Sequence, residues 1–199
     1  MTRPALAEQR NQRRAQAHAA TRGAILEAAR RVATRDGARD LSLRGVAAEA
    51  GFAPAALYGY FAGKDELLLA LAAEDLAILA RTMREAVAKD GEGRLAAASS
   101  AALASLGETE SLAAALGALP MAGRANDAER LFNGRMIAAL KALSEASGKP
   151  LATREAQCDI VLVAAAVTGL ALLQRSGRLE ALGYSRGELL ARLEKHFAS

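Results

Sequence analysis

Residues 42–68 read SLRGVAAEAGFAPAALYGYFAGKDELL, and they contain four of the seven Phe and Tyr side chains of the 199-residue chain. Ser42 is a typical N-cap for a short helix over Leu43–Ala50, and Gly51 can end that helix in the left-handed conformation. Pro54 then suits the first turn of another short helix, which is predicted to run to about Phe61. Two short helices joined by a tight turn that contains glycine predict a helix-turn-helix.

The aromatic residues of this stretch divide into two groups. Phe52 and Phe61 flank the second short helix, and Leu57 lies between them, so we expect these three to anchor it; a helix of this length is not stable without tertiary packing. Tyr58 and Tyr60 fall outside that inward face. In a helix-turn-helix the second helix enters a DNA major groove, and the two phenolic hydroxyls are therefore predicted to contact phosphate.

Charge is distributed unevenly along the chain. Residues 1–64 contain eleven Lys and Arg against five Asp and Glu, a net charge of +6, whereas residues 65–199 contain fifteen against seventeen, a net charge of −2. A basic first third joined to a nearly neutral body is typical of a segment that binds a polyanion. A solvated basic segment without a partner explains the charge alone equally well.

Composition and the spacing of apolar residues predict an all-α fold. Alanine dominates the hydrophobic residues and Trp is absent, a composition that favours helices over sheets. Residues 1–18 are polar and rich in Arg, and they form either a mobile arm or an extension of the helix that begins near Thr21 and ends at Gly37. Further helices are predicted from about 64 to Lys89 and near 94–106, 109–119, 127–147, 152–176 and 185–198.

Residues 21–71 read TRGAILEAARRVATRDGARDLSLRGVAAEAGFAPAALYGYFAGKDELLLAL. This run resembles the N-terminal domain of the TetR family of bacterial transcriptional repressors, and the resemblance covers roughly residues 20–75. It implies a dimer whose C-terminal helices bind a small molecule and pair the subunits. The chain is accordingly divided into a basic N-terminal arm (1–18), a helix-turn-helix domain (19–63) and a helical effector-binding and dimerisation domain (64–199).

The resemblance also implies a set of DNA-contacting residues. Arg44 is the candidate for a guanine contact, because its guanidinium fork matches O6 and N7; a phosphate contact or a solvated surface Arg together explain it equally well. Tyr60 stands where the family usually has His, and the tip Ala53–Ala56 is apolar where small polar residues are common. Contacts to thymine methyl groups and DNA shape are therefore expected to carry more of the specificity. The family's contact positions correspond to Ser42, Arg44, Pro54, Ala55, Tyr58, Tyr60 and Lys64.

The predicted helix 152–176 is apolar on several faces between Ile160 and Leu173, so it must be covered on several faces. It is either the buried central helix of a monomer or an interface helix, and the resemblance favours the interface. Two apolar stripes run along this helix. One consists of Ile160, Val163, Val167 and Leu170, and the other of Leu162, Ala166, Gly169 and Leu173. The sequence does not decide which of them faces the partner. Together with the last helix they give the predicted dimer-interface residues Leu162, Ala166, Val167, Gly169, Leu170, Leu173, Leu189 and Leu193.

An effector pocket is expected between the long helix that begins near residue 64 and the helices of residues 94–147. Its predicted lining is apolar, with Met suited to an adaptable cavity, although packed core is the better explanation of any one of these residues by itself. The polar residues that could anchor an effector there are Asn133, Arg135 and Gln174. The predicted lining residues are Leu103, Leu106, Met121, Phe132, Met136 and Leu140.

Enzyme chemistry finds little support in this sequence. His18 and His196 form no convincing triad, and with Cys158 they lack metal-ligand spacing. There is no Gly-rich phosphate loop, so neither a catalytic site nor a metal or cofactor is expected. Cys158 cannot form an intrachain disulfide, which fits a reducing compartment, and we expect it to be a small buried side chain.

These observations predict a dimeric DNA-binding regulator, by family default a repressor, that a small and mostly apolar effector releases from a palindromic double-stranded operator. A regulator without a small-molecule effector, and a helical enzyme or carrier with a basic N-terminal domain, remain as alternatives. The longest apolar run, Ile160–Leu173, is shorter than the roughly 20 residues of a bilayer span. We therefore expect a soluble, cytoplasmic protein without a membrane partner.

Overall fold

The computed structural model describes residues 3–89, 93–107, 111–118 and 127–198. Every regular element in these ranges is an α-helix, which confirms the all-α prediction. The helices are α1 (Arg3–Asp36), α2 (Leu43–Ala50), α3 (Pro54–Leu57), α4 (Lys64–Lys89), α5 (Arg94–Gly107), α6 (Ser111–Ala118), α7 (Asp127–Ser147), α8 (Arg154–Arg175), α9 (Arg178–Ala181) and α10 (Arg186–Phe197).

Two hydrophobic cores organise these helices, and α4 contributes to both. The N-terminal core joins the second half of α1 to α2, α3 and the first turns of α4, with Ile25, Val46 and Leu57 completely buried. The C-terminal core joins the rest of α4 to α5, α7, α8 and α10, with Phe132 and Val163 completely buried. The described part of the chain thus contains a smaller N-terminal core and a larger C-terminal core.

Local signals placed several helix ends correctly. Helix α4 begins with Lys64, Asp65 and Glu66, and the two carboxylates lie at the positive end of the helix dipole. Helix α10 begins with a capping box, in which the Ser185 hydroxyl accepts from the Glu188 amide and the Glu188 carboxylate accepts from the Ser185 amide. The Glu188 carboxylate also accepts a hydrogen bond of 2.6 Å from the Ser185 hydroxyl, and this bond, with the one from the Ser185 amide, lowers the pKa of the Glu188 carboxyl.

Two elements differ from the sequence-based expectation. The chain is helical from Arg3 onward, so of the two alternatives for residues 1–18 the extension of the first helix is the one observed. The segment SGRLEALGY, expected to be a break, contains the short helix α9, because Leu179 is buried while Gly177 and Gly183 supply positive φ angles of 68° and 79° on either side. Those glycines permit the sharp turns into and out of α9.

Helix α8 is the one helix of the described ranges that is long and apolar enough to cross a membrane, judged by length and composition alone. Its 22 residues exceed the apolar run on which the expectation of a soluble protein rested. Only 22% of its most apolar window is buried within the chain, so much of this apolar surface faces away from the subunit's own core. Cys158 at its start is exposed, so the expectation of a buried thiol was wrong.

We predict that Leu57→Ala destabilises the N-terminal core by about 2–5 kcal/mol, because it removes a completely buried side chain and leaves a cavity. Tyr58→Ala is the matched control, since the neighbouring Tyr58 is 63% exposed and its truncation is expected to change stability by less than about 0.5 kcal/mol. Urea unfolding of both variants, followed by circular dichroism, checks the difference. Equal midpoints would contradict the anchoring role of Leu57.

Candidate nucleic-acid interface

The turn between α2 and α3 is built from local signals. The Ser42 hydroxyl oxygen accepts a hydrogen bond of 3.1 Å from the Gly45 amide, which confirms Ser42 as the N-cap of α2. Gly51 has a φ of 73° and ends α2 in the left-handed conformation, as predicted. The Phe52 amide then donates to the Ala47 carbonyl over 2.9 Å. The direction in which the chain enters α3 is therefore fixed by backbone hydrogen bonds.

Helix α3 is shorter than predicted, because it ends at Leu57 rather than near Phe61. After Leu57 the chain continues in tight turns, in which the Gly59 amide donates to Ala56 over 3.2 Å and the Tyr60 amide to Leu57 over 2.9 Å. Glycine at position 59 has the low helix propensity that accompanies such a break. The Phe61 amide also donates to the Leu57 carbonyl over 2.9 Å, so the segment keeps an overall helical course.

The predicted DNA contacts share one feature, which is that most of them are exposed. Ser42, Arg44, Pro54, Ala55 and Lys64 are exposed, Tyr58 is 63% exposed and Tyr60 is half-buried. The buried residues of the same segment, Leu57 and Phe61, fill the N-terminal core, while Phe52 packs against it partly buried. The anchoring role expected for these three agrees with this packing.

Lys64 contacts the loop that precedes α2. Its ammonium group donates to the Arg39 carbonyl, which holds the first residue of α4 beside the helix-turn-helix. An ammonium group has three N–H donors, so this contact leaves donors for a phosphate. The arrangement brings Lys64 to the start of α4 with its charge at the surface.

Two residues of α1 complete this surface, and sequence reasoning missed both. The His18 ring stacks on the Tyr60 ring with centroids 4.6 Å apart and an interplanar angle of 26°. The Arg22 guanidinium lies over the Phe61 ring at 4.9 Å from its centroid. The signal that could have found them is the continuation of the buried face of α1 in steps of three and four residues through Thr21 and His18.

Not all arginines of the N-terminal third are available to a partner. Arg31 and Arg35 donate to the two carboxylate oxygens of Glu49 over 2.7 and 3.1 Å, and Arg35 also pairs with Asp36. The hydrogen bonds from these arginines hold the pKa of the Glu49 carboxyl below its usual value. Arg44 belongs to no ion pair between described residues, and it is exposed on α2.

A second feature is a cavity of about 630 Å³ between α1, α4, α5 and α6, with Arg175 of α8 at its wall. Of the predicted pocket residues Leu106 lines it, whereas Leu103 and Phe132 lie in the C-terminal core, against which Met136 and Leu140 pack. Met121 lies outside the described residues, and Asn133, Arg135 and Gln174 are exposed away from this cavity. The cavity is lined by Arg30, Ala33, Thr34, Gly37, Leu71, Asp75, Leu76, Ile78, Leu79, Ser105, Leu106, Gly107, Leu112 and Arg175.

The polar wall of this cavity connects three helices. The Asp75 carboxylate on α4 accepts a hydrogen bond from the Arg30 guanidinium on α1 and another from the Ser111 hydroxyl on α6. Arg30 also lies 3.8 Å from the Glu74 carboxylate. Burial raises the pKa of the Glu74 carboxyl, and the nearby Arg30 opposes that effect.

The two stripes of α8 occupy different environments. Ile160, Val163 and Val167 are buried within the subunit. The other stripe is more open, since Gly169 is exposed and Leu162 is 57% exposed. Among the remaining predicted interface residues Leu193 is buried, whereas Ala166, Leu170, Leu173 and Leu189 are half-buried. Further exposed apolar residues on α8 are Val161 and Leu172.

Comparison with known proteins places the helix-turn-helix in a family. Residues 25–71 match the family model described as bacterial regulatory proteins, tetR family. Residues 25–71 therefore carry the N-terminal domain of the TetR family. The match covers the second half of α1, the two helices of the helix-turn-helix and the start of α4, and it confirms the resemblance drawn from the sequence. The comparison with curated proteins gave no match.

Solved structures extend the likeness to most of the chain. A TetR-family transcriptional regulator from Streptomyces coelicolor is 20% identical, with a TM-score of 0.61 over 89% of this chain and 99% of that one. FadR from Bacillus subtilis, solved in complex with stearoyl-CoA, is 17% identical, with a TM-score of 0.59 over 88% and 97%. A protein of unknown function from Rhodococcus sp. RHA1 is 26% identical, with a TM-score of 0.65 over 89% and 93%. These likenesses show that the C-terminal helices share the fold of such regulators.

We predict different effects for two variants of the exposed surface. Lys64→Ala removes a charge that we expect to contact phosphate, so it should weaken binding to all DNA sequences and reduce the slope of log K against log salt by about one unit. Arg44→Ala instead changes the relative preference among operator variants, by roughly 1–3 kcal/mol at one base pair. Fluorescence titration at several salt concentrations checks both. If Arg44→Ala weakened all sequences equally, Arg44 would be a phosphate contact.

Proposed function

We propose that this TetR-family DNA-binding regulator acts as a homodimer, and that it represses transcription until a small, mostly apolar effector releases it from a palindromic operator. The observation that carries DNA recognition is the surface on which Ser42, Arg44, Tyr58 and Lys64 are exposed while Leu57 is buried beneath them. A buried core thus supports exposed hydrogen-bond donors and two cations. In this scheme residues 19–63 read DNA, and residues 64–199 bind the effector and the partner.

Dimerisation is supported by the exposed apolar surface of α8. Leu162 and Leu172 are 57% and 60% exposed, and Gly169 between them is exposed too. A contiguous apolar surface of this kind marks an interface with another protein or with a membrane. We assign it to a second copy of the chain, because a symmetric dimer places two recognition segments about 34–36 Å apart, one turn of DNA. With this assignment we also propose that the protein is soluble and cytoplasmic.

The cavity between α1, α4, α5 and α6 is the candidate effector site. Its volume of about 630 Å³ lies within the range of ligand pockets in proteins, roughly 300–1,000 Å³. Leucine and isoleucine supply six of its fourteen lining residues, and Arg30, Asp75 and Arg175 supply charged groups. An apolar compound with one polar group fits this lining. The FadR of Bacillus subtilis was solved with stearoyl-CoA, which makes an acyl chain a reasonable first probe.

The same cavity offers a route from effector to DNA. Arg30 belongs to α1, which packs in the N-terminal core, and Asp75 belongs to α4, which contributes to both cores. A ligand that alters the Arg30–Asp75 pair acts on the contact between the two parts of the chain. The requirement is only that the ligand bind one arrangement of α1 and α4 more tightly than the other.

Two alternatives make different predictions. A regulator without a small-molecule effector would bind DNA and show no ligand-dependent stabilisation. A helical enzyme or carrier would bind no specific DNA; the family match to bacterial regulatory proteins argues against it. The experiment that tests the proposed function is selection of bound duplexes from a random pool by the purified full chain. We expect an enriched palindrome, and the absence of any enriched sequence would contradict DNA recognition.

We predict that Leu162→Asp or Leu172→Asp gives a folded monomer with greatly reduced operator affinity, because an unpaired charge is costly at a buried interface. Val167 is unsuitable for this test, since it is 2% exposed within the subunit and a charge there would disturb the fold itself. Ile137→Asp on α7 is the matched control, at a side chain that is 54% exposed. Ultracentrifugation of the 20.6 kDa chain checks the assembly. A wild-type monomer that still binds a palindrome tightly would contradict the proposal.

We predict that an apolar effector raises the melting temperature and weakens operator binding, because it binds the folded state and favours one arrangement of the helices. Stearoyl-CoA is the first probe, followed by a panel of apolar compounds. Leu106→Trp narrows the cavity and is expected to lower effector affinity roughly tenfold, since overpacking costs about 1–3 kcal/mol, while Ile137→Trp is the control. Calorimetry with and without the selected duplex checks the coupling. A compound with equal affinity in both titrations would occupy the protein without controlling it.

A further inference from the structure

Helix α1 is much longer than the family match requires. It begins at Arg3, whereas the matched region begins at residue 25. From Arg3 to His18 it rises by roughly 22 Å at about 1.5 Å per residue. The side chains of residues 8–20 are all exposed. The first half of α1 therefore projects beyond the buried part of the N-terminal core.

The face of α1 that is buried in the core continues into this projection and becomes basic. Counting back from Val32 in steps of four and three residues leads to positions 28, 25, 21, 18 and 14. Val32, Ala28 and Ile25 are buried, whereas His18 and Arg14 on the same face are exposed. A face that is apolar over the core and cationic beyond it indicates a different partner for its outer part.

The base of the projection lies against the candidate DNA-binding surface. The His18 ring stacks on the Tyr60 ring at 4.6 Å between centroids, and Tyr60 follows the recognition helix. The projection thus leaves the body at the edge of the surface that carries Tyr58 and Lys64. Arg14 lies one helical turn before His18, so it is the arginine of the projection closest in sequence to that contact.

The charge of the projection suits a polyanion. Arg10, Arg13 and Arg14 lie within two turns and share one side of the helix, and Glu8 lies on another side at 100° per residue. No ion pair between described residues involves these three arginines, in contrast with Arg30, Arg31 and Arg35. Arginine is well suited to bind phosphate, because its planar fork can make two hydrogen bonds.

We propose that residues 3–18 of α1 form a second DNA-binding element, in which Arg10, Arg13 and Arg14 contact phosphates outside the footprint of the helix-turn-helix. The proposal rests on DNA binding by the helix-turn-helix and extends it. A projection of roughly 22 Å spans about six base pairs at 3.4 Å each, so each protomer covers that much additional flanking DNA. These contacts add affinity and no base specificity, because they reach only the backbone.

The test compares two duplexes that carry the selected palindrome, one ending at its edges and one with about 8 additional base pairs on each side, slightly more than the projection spans. The triple variant R10Q/R13Q/R14Q is titrated against both at several salt concentrations. On the longer duplex we expect the wild type to have a salt slope steeper than the variant's by about 2–3 units per protomer, roughly 0.9 per phosphate contact. On the shorter duplex we expect the two proteins to bind alike.

Two further proteins sharpen the comparison. R81Q/K141Q/R154Q removes the same number of positive charges from exposed positions on α4, α7 and α8, and its slope on the longer duplex is expected to match the wild type. Deletion of residues 2–16 removes the projection and is expected to behave like R10Q/R13Q/R14Q. Circular dichroism of each protein verifies that the remaining helices are folded.

Three outcomes would overturn the proposal. In the first, R10Q/R13Q/R14Q and the wild type bind the longer duplex with equal slopes, which would make the projection a solvated helix. In the second, the wild type sediments with phosphatidylglycerol-containing vesicles through these arginines while the DNA slopes are unchanged, which would assign the projection to an anionic membrane surface. In the third, the triple variant loses affinity equally for both duplexes. Failure of the wild type to bind either duplex would instead contradict the function of the helix-turn-helix.

Discussion

The constraint on which the rest of this structure depends is that α4 is buried in two cores at once. Its first turns give Leu67, Leu68 and Leu71 to the N-terminal core, and from Leu76 onward its buried residues belong to the C-terminal core. An eight-residue α2 and a four-residue α3 cannot be stable alone. They are held because α1 and the start of α4 enclose them, so the reading surface keeps its shape only while α4 keeps its position.

Because α4 is buried in both cores and holds the helix-turn-helix in place, only a few exposed side chains are needed for contacts to DNA. Leu57 and Phe61 are buried, and the side chains that reach outward between them, such as Tyr58, are free to meet DNA. The apolar tip Ala53–Ala56 offers few hydrogen-bond donors. In the proposed function, specificity would then depend more on Arg44, on thymine methyl contacts and on the shape of the duplex that the two recognition segments of a dimer can fit.

The parts of the fold that sequence predicts well are those with a local physical cause. Ser42 and Gly51 were placed correctly as the caps of α2, because capping depends on one side chain and one φ angle. The stacking of His18 on Tyr60 could not be predicted with the same ease, since 42 residues separate them and only the packed core brings them together. The end of α3 at Leu57 was missed because turns of mixed hydrogen-bond length follow it without a change in the apolar pattern.

The cavity shows a different limit of sequence reasoning. Leu103, Leu106 and Phe132 are equally apolar, yet Leu106 lines the cavity while the other two are buried in the C-terminal core. Which apolar side chain is left uncovered depends on how neighbouring helices meet, and composition does not record that. Cys158 illustrates the same point, because it lies on a helix whose apolar length suggested burial, and the helix leaves that side exposed.

The position of the cavity bears on how far a signal must travel. Arg30, Thr34 and Leu71 line it, and Leu71 is also part of the core that holds α2 and α3. A ligand in this cavity therefore touches the DNA-binding part directly, and no long chain of contacts is required between the two sites. The ligand must instead bind one state of the protein much more tightly than the other. Reversing a population from 1:99 to 99:1 needs about a 10⁴-fold preference for one state, or about 5.5 kcal/mol. The Arg30–Asp75 pair joins α1 to α4 at the wall of the cavity, so a compound bound there would lie against the contact whose arrangement it has to favour.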